Sequence, residues 1–158
     1  MKIYIGTDHA GFEFKNKLVE YLKGLGHEVV DKGPFEYDAN DDYPDFITPV
    51  AVAVAHDMEV GLPNMGIILG GSGQGEAMCA NRVKGARAGV YYGGAGTQTD
   101  ISGNKINMIQ SLREHNNANI LSIGARFINE DEVKSAIKLF IETPFSNDER
   151  HIRRINKF

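Results

Sequence analysis

"GIILGGSGQGEAMCANRVKGAR", Gly66 to Arg87, joins an apolar run to a glycine-rich turn and then to good helix formers. Ile67, Ile68 and Leu69 read as a buried strand, Gly70 to Gly75 as the turn, and Gly75 to Val83 as a helix. The same alternation continues on both sides. "KIYIG" at residues 2–6 is a strand, and apolar residues at Phe14, Leu18, Val19, Leu22 and Leu25 set a helix from Phe12 to Leu25 that Gly26 ends. "HEVVDKG" is a second strand, "PFEYDANDDYPDF" a loop, and Ile47 to His56 a helix in spite of its valines. Beyond the central stretch come strand "ARAGVYY", helix Asn104 to His115, strand "NILSIGA", helix Asp131 to Ile141 and a terminal helix over about residues 147–158. Strands alternating with helices predict a parallel sheet of about five strands covered on both faces, within one domain spanning residues 1–158.

The 158 residues are 42% hydrophobic and 24% charged, the balance of a chain with a packed core. A net charge of −4 argues against general nucleic-acid binding, which needs a basic face. The single cysteine, Cys79, excludes an internal disulfide and fits a reducing compartment. Asp8 and His9 come too early for a signal-peptide core, and "PVAVAVA" is too short to span a bilayer, so a cytoplasmic location and no membrane partner are expected.

In open parallel sheets ligands bind beyond the carboxyl ends of the strands. That rule gathers Asp8 and His9 after the first strand, the turn Gly71, Ser72, Gly73, Gln74, Gly75 with Glu76 after the third, and Arg126 after the fifth. His115 and Asn116 precede a strand, so the rule does not bring them to the same place. The turn is not a dinucleotide fingerprint, because the glycine required three residues after Gly73 is Glu76. "DANDDYPDF" is not a calcium loop, with Tyr43 where glycine is needed and Pro49 where glutamate is needed; it reads as a solvated loop from which Tyr43 alone reaches a ligand. None of the five histidines stands in a metal-binding motif, and no metal or other cofactor is expected. Arg150 and Arg154, four apart, lie on one face of the terminal helix and make a clamp for phosphate or simply end the chain as a solvated basic tail.

Taken together, "GTDHAGF", "DDYPDF", "GGSGQGEAMCANRVKGARA", "EHNNANIL", "IGAR" and "RHIRRI" resemble the ribose-5-phosphate isomerase B family, which includes the galactose-6-phosphate isomerase subunits. The resemblance covers nearly the whole chain. It implies a Rossmann-like α/β/α sandwich and metal-free interconversion of aldose and ketose phosphates. One branch of that family carries its proton-transferring base as a cysteine just before the glycine turn, where this chain has Gly70. The other carries a glutamate just after it, and Glu76 matches.

By the same resemblance His115 opens the furanose ring and Asn116 holds a hydroxyl. Asp8, His9 and Tyr43 contact the sugar, and Arg126, Arg150 and Arg154 bind the phosphate. The family's sites are shared across a homodimer, or a tetramer of dimers, with the equivalents of Asn116 and the arginines coming from the partner. The chemistry agrees with a carboxylate in the turn. Isomerisation needs one base for the carbon-bound proton and donors for the oxygen that becomes negative, and the turn's N–H groups with the Ser72 hydroxyl supply donors.

One departure from the family pattern is "GGAGTQTDISGNKINMIQS", residues 93–111, longer than the usual spacing, whose glycine-rich start reads as a loop beyond the fourth strand. It leaves open a five-carbon or a six-carbon substrate. A sugar-phosphate-binding module without catalysis is the alternative of another class.

Overall fold

The computed structural model describes residues 1–94 and 97–158, the side chains of Thr97 and Gln98 excepted. Strands β1 (Lys2–Gly6), β2 (Glu28–Asp31), β3 (Met65–Gly70), β4 (Ala88–Tyr91) and β7 (Ile120–Gly124) form one parallel sheet in the order β2-β1-β3-β7-β4. Strand alternation divides the core. Ile3, Ile5, Ile67, Leu69, Leu121 and Ile123 point to one face, where they meet Leu18 and Leu22 of α1 (Phe12–Gly24), Ile109 of α4 (Met108–Asn116) and Ile137 and Phe140 of α5 (Glu130–Glu142). Tyr4, Ile68 and Ile120 point to the other, under Ile47, Val50 and Val54 of α2 (Pro44–Glu59) and Ala80 of α3 (Gln74–Ala80). The result is the three-layer α/β/α sandwich expected. Each fully buried isoleucine or leucine contributes roughly 1.5–3 kcal/mol of that packing. Among the described residues no helix is long and apolar enough to cross a membrane.

Helix α3 ends at Ala80 rather than Val83 and the terminal helix covers Glu149–Ile155, and two helices begin well away from expectation. Helix α2 begins at Pro44, not Ile47, because Pro44 suits the first turn and the Tyr43 carbonyl accepts from the N–H groups of Phe46 and Ile47. The helix expected over Asn104 to His115 begins only at Met108. Lys105–Asn107 is instead strand β6, paired antiparallel with β5 (Thr97–Thr99). Asn107 enforces the boundary: its side chain accepts from Gln110 N at 2.8 Å while Gln110 Oε1 accepts from Asn107 N at 3.3 Å. Asp100 shapes the hairpin turn by accepting from the N–H groups of Ser102 and Asn104. The long segment after β4 is therefore a hairpin and a capped helix start, and its Ala95 and Gly96 lie outside the described residues.

Candidate active site

The chain passes from β1 outward to β2, then returns to the other side of β1 as β3, and the crevice at that reversal is where such sheets bind ligands. Residues from both strand exits meet there. Gly73 starts α3 with φ +75°, and a Cβ on it would lie 2.9 Å from the backbone of Ile123, so only glycine lets the turn cross so close to β7. The Ser122 hydroxyl donates to Gly73 O at 2.6 Å and fixes the crossing. Tyr43, Gly71, Ser72, Gly75, Glu76, Arg126 and Phe127 line an open pocket of about 440 Å³.

Glu76 is buried, and its carboxylate occupies the space that a side chain on residue 70 would need. A Cβ added to Gly70 would stand 1.9 Å from Glu76 Oε1 and 2.0 Å from Cδ. Glycine before the turn and glutamate after it are thus one device. Burial pushes the Glu76 carboxyl above its usual value, its own backbone N–H opposes the shift, and the negative charge of Asp8 adds to it. The Tyr43 ring closes one side, lying 3.1 Å from where a Gly75 Cβ would be. On another side the Arg126 guanidinium covers Gly71, tied by Arg126 N donating to Gly71 O at 3.2 Å. Asp8 caps the short 3-10 turn His9–Gly11 by accepting from Ala10 N at 2.9 Å. His9 Nδ1 stands 2.7 Å from Asp41 Oδ1.

A second polar group lies at the amino end of the sheet. His115 ends α4, just before β7, and its ring stacks on that of His151 with centroids 4.4 Å apart. Helix α6 (Glu149–Ile155) carries His151 together with Arg150 and Arg154. Ser111 Oγ lies 3.2 Å from His115 Nδ1, and Ser146 Oγ 3.1 Å from His151 Nδ1. The buried His151 ring is held below its usual basicity, first by desolvation and then by His115 and Arg150. Asn116 donates to Ser111 O, and its carbonyl accepts from Arg87 Nε at 3.2 Å. Strand β3 runs the length of the gap between the two groups, about 15 Å or more of sheet.

A family model described as Ribose/Galactose Isomerase matches residues 3–158. The chain belongs to that family. It is 39% identical over 156 residues to ribose-5-phosphate isomerase B of Mycolicibacterium paratuberculosis, covering 99% of this chain and 88% of the relative. Among solved structures, ribose-5-phosphate isomerase B of Mycoplasma genitalium with bound ribulose-5-phosphate is similar at 35% identity and TM-score 0.82, over 99% of this chain and 92% of that one. The Thermotoga maritima ribose 5-phosphate isomerase aligns at 36% identity and TM-score 0.81, over 99% and 95%.

Of the residues expected at the site from sequence, one chain brings together Tyr43, the turn Gly71 to Gly75, Glu76 and Arg126, with Asp8 close enough for its charge to act on Glu76, while His9, beside Asp8, lines a neighbouring pocket with Tyr37 and Ala125. It leaves His115, Asn116, Arg150 and Arg154 at the opposite end. Arg126 departs from the grouping the resemblance implied, since it lines the same pocket as Glu76 of its own chain. Three residues were not read from the sequence. Phe127, exposed beside Tyr92 with ring centroids 6.2 Å apart, walls the pocket. His151 meets His115 only because the tail folds back on α4. Asp41 belongs to the loop read as solvated, yet it forms with Asp8 and His9 a group whose ligand-capable atoms all lie within 4.8 Å. Nothing in the spacing of 32 residues signals its contact with His9.

Proposed function

We propose that the protein is a cytoplasmic isomerase interconverting ribose 5-phosphate and ribulose 5-phosphate through an enediolate, within a homodimer whose sites combine residues of both chains. The supporting observation is the Glu76 carboxylate, buried in the glycine turn where residue 70 leaves it room. In the aldose-to-ketose direction Glu76 takes the proton from C2 and returns it to C1, while the hydroxyl proton passes from O2 to O1. The N–H groups of the Gly71–Gly75 turn and the Ser72 hydroxyl stabilise the oxygen that becomes negative, each such donor contributing about 3 kcal/mol. A raised carboxyl pKa suits this work, because a base is most effective when its pKa approaches the operating pH.

Asp8, His9 and Tyr43 hold the sugar, and Arg126 faces its phosphate. From the partner come His115, which protonates the ring oxygen to open the furanose, Asn116, which holds a hydroxyl, and the clamp of Arg150 and Arg154. The partner is required because no single chain can apply both ends of its sheet to one sugar phosphate. The five-carbon substrate is favoured by the relatives named ribose-5-phosphate isomerase B. Glu76→Gln tests the chemistry: incubation with ribose 5-phosphate in deuterated water should give no deuterium at C2 in the variant, while substrate still binds. Wild-type exchange by that variant would remove Glu76 from the reaction.

A further inference from the structure

The side chain of Asp41 is only 8% exposed, and both of its hydrogen bonds go to one residue. Oδ1 accepts from the backbone N–H of His9 at 3.0 Å and stands 2.7 Å from His9 Nδ1. Since a carboxylate can only accept, Nδ1 carries the proton and donates it. The turn around Asp41 does not need this carboxylate. Asp38 makes that turn, its carbonyl accepting from Asp41 N and its Oδ1 from Asn40 N. Asp8 is likewise committed elsewhere, to Ala10 N. Asp41 Oδ2 is buried with no hydrogen-bond partner among the described residues, an arrangement that costs stability, so the contacts of this side chain are those of Oδ1 with His9 alone.

We propose that Asp41 is a positioning residue for substrate binding: it locks the His9 imidazole in one rotamer and in the Nδ1–H tautomer. This leaves Nε2 as the nitrogen that accepts from a substrate hydroxyl. A charge-assisted bond to the ring and a second bond to the backbone of the same residue remove both the swing and the flip of the imidazole. The loop thus supplies two walls of the site, Tyr43 over Gly75 and Asp41 behind His9. The proposal rests on His9 holding the sugar, as in the function proposed above.

The test combines steady-state kinetics on ribose 5-phosphate with ¹H–¹⁵N spectra of the histidine ring. Asp41→Ala should raise KM about tenfold with kcat nearly unchanged, as expected for loss of binding common to ground and transition states. Its His9 ring should lose the fixed Nδ1–H tautomer. Asp41→Asn keeps an oxygen for the same two N–H donors and should recover most of the loss in KM. In a His9→Ala background, Asp41→Ala should add nothing. Wild-type KM and tautomer in Asp41→Ala, or an Asp41 effect undiminished without the His9 ring, would overturn the assignment. If His9→Ala leaves KM unchanged, His9 does not hold the sugar and the role of Asp41 falls with it. If His9→Ala weakens binding and Asp41→Ala does not, only the positioning role is lost.

Discussion

At the carboxyl end of the sheet, Glu76 is buried in a turn that three glycines and the Ser122 hydroxyl hold in place, with Tyr43 and Arg126 packed against it. At the amino end, His115 and His151 are stacked and fixed by serines, while on the helix of His151 Arg154 stands open and Arg150 is half-buried. In the proposed reaction the first end supplies the base and the oxyanion donors without a full phosphate clamp. In the same reaction the second supplies the clamp and the acid without a base. Each lacks what the other holds, and a chain cannot fold one end onto the other through its own sheet. On the function proposed above, the difference is that of two half-sites, which a second copy of the chain would complete.

The largest effect expected at the carboxyl end is that of Glu76→Gln, a loss of at least about 10²-fold in kcat with substrate affinity within a few fold, since the amide keeps the shape but accepts no proton from carbon. Wild-type-like turnover would break the contrast at its strongest point. Gly70→Ala should follow, at up to about 10²-fold, because its Cβ takes the space of the carboxylate and moves the base. A melting curve like that of the wild type would show that the loss is positional.

At the amino end, His115→Ala should slow the cyclic aldose direction roughly tenfold more than the open-chain ketose direction, because only the former needs ring opening. Equal losses in both directions would give His115 another role. The smallest effect is on stability. Glu76 has a folded pKa above its ordinary value near 4.5, so its burial favours the fold below that value and that contribution is lost as pH rises through the folded pKa. Glu76→Gln should therefore raise Tm at pH 7 and lose that advantage near pH 4.

How far the sequence reached differs between the two ends. The strand, turn and helix around Gly70 are set by local apolar runs and glycines, and the carboxyl-end rule then collects Asp8, the turn, Glu76 and Arg126 without further information. Hairpin β5–β6 was not legible, because what starts α4 at Met108 is a reciprocal bond between Asn107 and Gln110 inside a segment that otherwise reads as helix. The contacts of Asp41 with His9 and of His151 with His115 join separate elements through tertiary packing. No periodicity along the chain reports such a pairing. Resemblance to a family supplied His115 and the arginines, and the sheet topology explains why the strand-end rule had omitted His115.

The half-site arrangement is tested most directly by complementation. Glu76→Gln and Arg154→Ala homodimers should each be nearly inactive, the first lacking the base and the second part of the clamp. Co-refolded in equal amounts, half of the dimers are mixed, and in each of these one site carries both substitutions and the other neither. Statistical pairing then returns about a quarter of wild-type activity. Recovery at that level, with exchange verified by mass, is the expected result; activity no higher than the mean of the two parents would contradict it.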